Sequence, residues 1–397
     1  MNATHVQPEP WPVVRLGEVA ELCLGKMLDA QKNKGRPQPY LRNPNVRWFD
    51  VDLSDVQLMP FEEHEDARYG LAAGDVVICE GGEAGRAAIW DGRVPNMKFQ
   101  KAIHRVRCGP QLSNRYLVHR LMADYQSGRL ADYYTGATIK HLTGQDLARY
   151  RVPLPTLAEQ RRIADILDKA DALRTKRRAA LAQLDTLTQS IFLDMFGDPT
   201  TNPKGWPKAS LEDLFEIARG GSPRPIDDYI TDDPDGINWI MIGDTVEGGK
   251  YITSTRKRIR PEGARRSRAI KPGDFLLTNS MSFGRPYIMR TSGCIHDGWL
   301  VLSPRREDVE PNFFFALLST QAVYAEFARR APGATVKNLN IDLVRGVTVP
   351  VPPLPTQEKF AAIVASIEGW ASIFDRSLAE LDALFASLQH RAFRGEL

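Results

Sequence analysis

The sequence predicts an α+β protein in which two tandem-repeat globular domains are separated by two long helices that pair antiparallel. Two observations predict this fold class. Five sequence matches recur in the same order about 197 residues apart in a chain of 397 residues, which indicates a duplicated unit. Each copy also ends in a heptad pattern of apolar residues without an internal proline, which predicts a long helix.

The five matches extend over each copy as far as its helix. In chain order they are Trp11-Pro12 with Trp206-Pro207, Gly74-Asp75 with Gly273-Asp274, Gly85-Arg86 with Gly284-Arg285, Gly136-Ala-Thr-Ile-Lys140-His-Leu142 with Gly333-Ala-Thr-Val-Lys337-Asn-Leu339, and the run from Val152 with the run from Val349. Before its helix, each copy has short strand-like runs broken by glycine and proline, and helical runs at 113–134 and 312–330. This mixture predicts an α+β domain.

Each helix is expected to span about 38 residues, or about 57 Å. The predicted boundaries are 1–155 for the first domain, 156–198 for the first helix, 199–352 for the second domain and 353–397 for the second helix. The apolar positions are Ile163, Ile166, Ala170, Leu173, Ala180, Leu184, Leu187 and Ile191 in the first helix, and Phe360, Ile363, Ile367, Trp370, Phe374, Leu381, Leu384 and Leu388 in the second. A helix with one apolar face must bury it, and the equal-length copy is the expected partner. Identical units joined in this way predict a pseudo-twofold arrangement, and the alternative is that each helix packs on its own domain.

Motifs for catalysis are missing from the sequence. It contains no phosphate-binding loop, no dinucleotide fingerprint and no H-E-x-x-H pair. The four cysteines lack zinc-ligand spacing, so no metal site is expected and free thiols in a cytoplasm are the simplest interpretation. No loop fits an amino-methyltransferase and no carboxylate cluster fits a nuclease. The chain is therefore predicted not to be an enzyme on its own.

The net charge of +3 hides a dense basic segment. Eight basic residues lie within residues 256–271, where Glu262 is the one acidic residue. Such a run repels itself unless an anion meets it, and phosphates of a DNA backbone are suitable anions. The alternative is a solvated basic loop.

Candidate DNA-binding residues are cations and amides, because these side chains contact phosphates and the edges of bases in the major groove. The candidates are Lys26, Arg86, Lys98, Gln100, Lys101, His104, Lys140, Arg219, Arg224, Arg256, Lys257, Arg258, Asn279, Arg285 and Lys337. Two pairs among them, Arg86 with Arg285 and Lys140 with Lys337, occupy matched positions of the two copies. A structural role, such as capping a helix, is equally open for these pairs.

The chain resembles the specificity subunits of type I restriction–modification systems. The resemblance rests on the two G-A-T-x-K-x-L segments, each followed by a proline-rich lead-in, on the helix start Glu159-Gln160-Arg161-Arg162-Ile163, and on the ending Ala392-Phe393-Arg394-Gly395-Glu396-Leu397. It covers essentially the whole chain. The second copy departs modestly from it, because its helix starts with Thr356-Gln357-Glu358-Lys359-Phe360.

The resemblance implies that each globular part is a target-recognition domain that reads one half of a bipartite, gapped DNA site in a prokaryotic cytoplasm. It also implies that the helices dock two modification subunits, with Ile163, Leu173, Leu184, Ile367, Trp370 and Leu381 as candidate docking residues. Those partners would carry S-adenosylmethionine and methylate adenine, and restriction subunits would use ATP and Mg²⁺, so this chain is expected to bind no cofactor. Two alternatives stay open: a recognition subunit of a methylase-only system, and a coiled-coil scaffold that binds proteins without DNA specificity.

Overall fold

A computed structural model describes residues 11–29, 31–136, 138–246, 248–279, 283–330 and 339–397. The chain divides into two compact units. Unit 1 comprises residues 1–178 together with 376–397, and unit 2 comprises residues 179–375. This division passes through the middle of both long helices, so each unit contains the beginning of one helix and the end of the other.

Unit 1 has a mixed α/β composition that follows the glycine- and proline-punctuated sequence. Its elements are β1 (Val13–Arg15), α1 (Leu16–Val19), β2 (Ala20–Leu24), β3 (Arg36–Leu41), β4 (Gln57–Phe61), α2 (Asp66–Tyr69), β5 (Val76–Cys79), β6 (Ala87–Ile89), β7 (Lys98–Phe99), β8 (Ile103–Cys108), α3 (Asn114–Gln126), α4 (Gly144–Arg149), β9 (Arg151–Pro153) and the first part of α5 (Leu157–Phe196). One sheet has the strand order β2-β8-β5-β6, a second has the order β4-β3-β7, and β1 pairs with β9.

Strand β5 lies between two of the hydrophobic clusters of unit 1. Its side chains alternate between faces, as in any strand. Val76 and Ile78 join the cluster that contains helix α3, whereas Val77 and Cys79 join a second cluster around Trp90. This burial on both faces explains the uninterrupted apolar run of the strand.

Unit 2 repeats this arrangement with additional strands. Its elements are β10 (Lys208–Ser210), α6 (Leu211–Leu214), β11 (Phe215–Arg219), β12 (Ile230–Thr231), β13 (Ile237–Ile240), β14 (Tyr251–Ile252), β15 (Lys257–Ile259), α7 (Pro261–Ala264), β16 (Arg268–Ile270), β17 (Phe275–Thr278), β18 (Pro286–Met289), β19 (Gly293–Ile295), β20 (Trp299–Pro304), α8 (Pro311–Leu318), α9 (Gln321–Arg330), α10 (Ile341–Arg345), β21 (Thr348–Pro350) and the first part of α11 (Leu354–Ala392). The strand orders are β11-β20-β17-β18-β14 and β12-β15-β13-β19-β16, and β10 pairs with β21.

Matched backbone hydrogen bonds show the duplication at the level of structure. The amide of Leu16 donates to the Tyr150 carbonyl at 2.8 Å, and the amide of Leu211, 195 residues later, donates to the Val347 carbonyl at 2.8 Å. The strand pair β1–β9 is likewise antiparallel, as is β10–β21. The two copies therefore share one fold.

Within each unit, the start of one long helix packs beside the end of the other. In unit 1, Ile163 and Leu167 of α5 lie in one cluster with Phe385 of α11. In unit 2, Phe192 of α5 contacts Phe360 of α11 with ring centroids 5.7 Å apart. These contacts require the helices to run antiparallel, as predicted. Among the described residues, no helix is both long and apolar enough to cross a membrane.

The predicted heptad register is wrong at five of its sixteen positions, where the side chains are exposed. In α5 a buried or half-buried residue recurs every three or four positions, at Ile163, Leu167, Ala170, Arg174, Arg177, Leu181, Leu184, Thr188, Ile191 and Met195, and in α11 the same holds at the ten positions 197 residues later. We call these positions the inner face. The predicted positions Leu173 and Leu187 are instead 52% and 45% exposed, and Trp370 and Leu384 are 57% and 47% exposed.

Polar side chains on the inner face explain this difference in α5, where Arg174 and Thr188 follow the exposed Leu173 and Leu187. Arg174 lays its guanidinium 4.3 Å from the centre of the Phe385 ring and pairs with Asp382 at 2.6 Å. A long side chain can bury its stem while its charged end finds a partner, so an arginine can fill a core position. A heptad pattern built from apolar residues alone omits Arg174 and includes the neighbouring Leu173 instead.

Candidate nucleic-acid interface

The basic segment 256–271 belongs to the second sheet of unit 2. Lys257 lies on β15, Arg268 lies on the edge strand β16, and Arg260 and Arg265 flank the short helix α7. Lys257, Arg260, Arg265, Arg268 and Lys271 are all exposed. Within the described ranges, these five side chains have no ion-pair or hydrogen-bond partner. They form a set of solvated cations, which we call the basic segment cations.

The remaining arginines of this segment hold it in place. Arg266 donates a hydrogen bond of 2.8 Å to the Tyr229 hydroxyl, and its guanidinium lies 5.7 Å from that ring. Arg256 donates to the Gly243 carbonyl at 2.6 Å, and Arg258 donates to the Asp233 carbonyl at 3.4 Å. Arg256 and Arg258 therefore support neighbouring loops, whereas the candidate between them, Lys257, is free to meet a ligand.

Three further candidates of unit 2 converge on Asp297. Arg219 donates to the Asp297 carbonyl at 3.0 Å, and buried Asn279 donates to the same oxygen at 2.8 Å. Arg224 lies 3.6 Å from the Asp297 carboxylate, and the Ser222 hydroxyl donates to it at 2.8 Å. The hydrogen bond from Ser222 lowers the pKa of Asp297, and burial lowers the pKa of the adjacent His296.

Asp297 is not among the residues predicted from the sequence, because the predicted DNA contacts are limited to cations and amides. Its backbone neighbour Gly298 accepts from the Asn279 amide at 3.0 Å. In unit 1 the matched bond joins the Glu80 amide to the Ala102 carbonyl at 2.9 Å. Asp297 therefore occupies the position that Lys101 occupies in unit 1, so the repeat itself was the signal that could have found it.

Most candidates of unit 1 are engaged inside the fold. Lys26 is 8% exposed and pairs with Glu65 at 2.6 Å, and Lys98 is 3% exposed and pairs with Asp66 at 2.6 Å. His104 is fully buried, its Nε2 lies 2.8 Å from the Leu142 carbonyl, and burial lowers its pKa. A buried ion needs a partner, and Lys26 and Lys98 have theirs within the domain.

The matched arginines sit at matched turns. Gly85 and Gly284 have φ values of 93° and 70°, a conformation that favours glycine. Arg86 pairs with Glu83 at 2.6 Å and donates to the Asn43 carbonyl at 3.0 Å. Arg285 is half-buried, and its guanidinium lies 5.8 Å from the Tyr287 ring.

Two cations of unit 1 remain exposed at the end of strand β5. Lys101 is exposed, and Lys140 is exposed with its ammonium 5.9 Å from the Tyr134 ring. The Leu142 amide donates to the Glu80 carbonyl at 2.7 Å, which brings the Lys140 segment beside the Lys101 segment. Gln100 is half-buried between them and its side-chain oxygen has no partner in the described part of the chain. The candidate Lys337 lies outside the described residues.

The docking candidates separate into two sets. Ile163 and Ile367 are buried on the inner face, and Leu184 and Leu381 are half-buried there. Leu173 and Trp370 point to solvent at matched positions of the two copies. Together with Leu187, Ile363 and Leu384, they form exposed apolar positions at heptad spacing, which we call the outer apolar positions.

Both the sequence and the fold of the chain are similar to those of known proteins. The family described as type I restriction modification DNA specificity domain matches residues 8–183 and again residues 203–381. The chain is 25% identical over 298 residues to the type I restriction enzyme EcoBI specificity subunit of Escherichia coli, covering 66% of this chain and 62% of that subunit. It therefore aligns with less than two thirds of that relative's length.

Other relatives align over almost the whole chain. The putative type I restriction enzyme MjaX specificity subunit of Methanocaldococcus jannaschii is 21% identical over 411 residues, covering 98% of this chain and 94% of that protein. The S subunit of a type I restriction-modification system from M. genitalium superimposes with a TM-score of 0.56 at 15% identity, covering 99% and 98% of the two chains. A chain from a structure describing assembly and conformational transition of the type I R-M system gives 0.64 at 20% identity, covering 98% of this chain and 100% of that chain. These two structures share the fold described above.

Proposed function

Because the chain belongs to the family of type I restriction–modification DNA specificity proteins, we propose that it is the DNA-recognition subunit of such a system. Each unit reads one half of a bipartite, gapped site. The observation that carries this proposal is the set of basic segment cations, five exposed side chains within a single stretch of unit 2 that have no partner in the described part of the chain. When such cations neutralise DNA phosphates, they release the counterions condensed on the DNA, and this release provides affinity.

Phosphate contact and base contact fall to different residues in this proposal. The basic segment cations contact the backbone, which provides affinity and register without sequence information. Arg219, Arg224 and Asp297 lie together in unit 2 and offer both donors and an acceptor, and the acceptor suits the amino group of cytosine. In unit 1, Lys101, Lys140 and Gln100 take this role, and lysine suits the acceptors of guanine.

The two half-sites differ in sequence in this proposal. At matched positions, unit 1 presents the cation Lys101 and unit 2 presents the anion Asp297. Opposite charges cannot favour the same base edge, because donors pair with acceptors. The gapped site is therefore asymmetric.

The outer apolar positions dock two modification subunits. Leu173 and Trp370 occupy equivalent places in the repeat, so each helix offers a similar surface to a copy of the same partner. The partners carry S-adenosylmethionine and methylate adenine, and a restriction subunit that uses ATP and Mg²⁺ joins where the system cleaves DNA. This chain contributes recognition and no catalytic step.

The test is to co-express the chain with the methyltransferase subunit of the same system and to sequence the methylated DNA. The expected result is one asymmetric motif interrupted by a gap, with a modified adenine in each half on opposite strands. A motif without a gap contradicts the proposal. A duplex affinity that does not change with salt favours a protein-binding scaffold instead.

A further inference from the structure

A buried glutamine lies in the first turn of each long helix, which we call the helix root. Gln160 of α5 and Gln357 of α11 are separated by 197 residues and both have 0% exposure. Each lies in the first turn of its helix, beside the proline-rich segment that leads out of the globular domain. Complete burial of an amide requires that its hydrogen bonds be made inside the protein.

The amide of Gln160 joins three segments of unit 1. Its Nε2 donates to the Gln111 carbonyl at 2.9 Å and to the Pro155 carbonyl at 2.8 Å. Its Oε1 accepts from the Ser113 amide at 2.8 Å. These partners are the loop after strand β8, the lead-in to the long helix, and the residue that precedes helix α3.

Gln357 makes the same three contacts in unit 2. Its Nε2 donates to the Asp308 carbonyl at 3.0 Å and to the Pro352 carbonyl at 2.8 Å. Its Oε1 accepts from the Glu310 amide at 3.1 Å, and Glu310 precedes helix α8. A side-chain amide supplies two donors and an acceptor in one plane, which neither a glutamate nor a lysine can do.

The charged contacts between domain and helix differ between the units. In unit 1, Asp168 of α5 accepts from His119 at 2.6 Å and also pairs with Arg115, both of helix α3. In unit 2, Glu368 of α11 pairs with Lys250 at 2.6 Å. The repeat preserves the glutamine contacts but not these charged ones, so the glutamine side chains make the junction that both domains share.

We propose that Gln160 and Gln357 are positioning residues that fix the angle at which each recognition domain leaves its helix, and thereby fix the length of the DNA gap that the protein accepts. This inference rests on the proposed function. A domain held rigidly at its helix root presents its reading side chains in one orientation only. One base pair more or less in the gap shifts and turns one half-site by about a tenth of a helical turn, which a rigid junction cannot follow.

The experiment measures the affinity of the complex with its methyltransferase subunits for duplexes whose gap is changed by one and two base pairs. For the wild-type chain, a change of one base pair is expected to weaken binding by about tenfold or more. For Gln160→Met with Gln357→Met, which keeps side-chain length and removes the hydrogen bonds, the penalty is expected to fall to about threefold or less. The affinity for the native gap falls at the same time.

Each control isolates one part of the proposal. Gln183→Met changes an exposed glutamine in the middle of α5 and is expected to keep the wild-type gap profile. If the double variant does not fold, the single variants Gln160→Glu and Gln357→Glu, which retain the acceptor, are measured in the same way.

A gap profile as sharp as that of the wild type in the folded glutamine variants overturns the proposal, whatever the affinity. A uniform loss of affinity at all gap lengths shows a merely structural role and also overturns it. If the wild-type complex shows no gapped site at all, the proposed function fails instead, so the two failures are distinguishable.

Discussion

Units 1 and 2 share a strand order and the hydrogen bonds at their helix roots, yet they use their basic side chains in opposite ways. In unit 1, Lys26, Lys98 and Arg105 are buried and paired with carboxylates. In unit 2, the basic segment cations are exposed and have no partner within the described ranges. The number of basic residues along the sequence therefore does not locate a DNA interface. A cation that pairs with a carboxylate inside the fold adds little to the electrostatic potential at the surface.

The comparison is sharpest at positions that the repeat matches. The Lys26 amide donates to the Phe99 carbonyl in unit 1, and the Gly221 amide donates to the Ile295 carbonyl in unit 2, so Gly221 replaces the buried lysine. In the same register, Lys101 of unit 1 is equivalent to Asp297 of unit 2. One scaffold thus carries a buried, paired lysine at this position in one copy and a glycine in the other, while the matched positions Lys101 and Asp297 differ in the sign of their charge.

The largest effect is expected from replacing all five basic segment cations by alanine. If each meets one phosphate, the slope of log affinity against log salt becomes shallower by about 4 to 5, and duplex affinity at physiological salt falls by about a thousandfold or more. Fluorescence anisotropy over a salt series measures both quantities. The matched variant of unit 1, Lys101→Ala with Lys140→Ala, is expected to change the slope by about 2 at most. Equal changes in this slope for the two variants would contradict the proposed difference between the units.

The second effect is on stability and is expected in unit 1. Lys26→Met keeps the apolar stem and leaves Glu65 as an unpaired carboxylate with a side chain only 15% exposed. The free energy of unfolding should fall by about 3 kcal/mol, because one member of a buried pair has been removed. The exposed control Lys101→Met should change it by about 0.5 kcal/mol or less. Urea unfolding compares them, and similar values would show that Lys26 is not structural.

The third effect concerns the outer apolar positions. Trp370→Ala is expected to weaken binding of the methyltransferase subunit by about 2 kcal/mol, and Leu173→Ala by about 1 kcal/mol, because a buried tryptophan contributes more than a leucine at an interface. Both side chains are exposed in the free chain, so thermal unfolding of the chain alone should hardly change. Titration calorimetry measures the binding, and unchanged affinity in both variants would place the docking surface elsewhere.

The smallest effect is a pH dependence in unit 2. The hydrogen bond from Ser222 lowers the pKa of Asp297 below its usual 3.8, so the ionised form is favoured in the folded protein. Its contribution to stability is present above pH 3.8 and is lost as the pH falls through the lower folded pKa. Ser222→Ala should move the pKa of Asp297 up toward 3.8, as followed by NMR titration of the carboxyl group. Titration at an unchanged pH would show that Ser222 does not stabilise the ionised carboxylate.

The duplication, the α+β class and the antiparallel helices could be predicted because each rests on a pattern along the chain. The inner face could not be predicted in full, because Arg174 fills one of its positions through a tertiary contact with Phe385. The burial of Lys98 depends on Asp66, a partner distant in sequence, and nothing near Lys98 indicates it. Asp297 was missed for a different reason, since its importance comes from the side chains that surround it.

The division of the long helices between the units has a consequence for the order in which the protein folds during synthesis. Unit 2 is continuous from 179 to 375, whereas unit 1 needs residues 376–397 to be complete. Phe385 and Phe393 belong to the hydrophobic core of unit 1, where the Phe393 ring lies 5.6 Å from Tyr116. Unit 1 is translated before unit 2 except for residues 376–397, so part of its core stays open to water until that segment has been translated. The last part of α11 thus completes the hydrophobic core of unit 1.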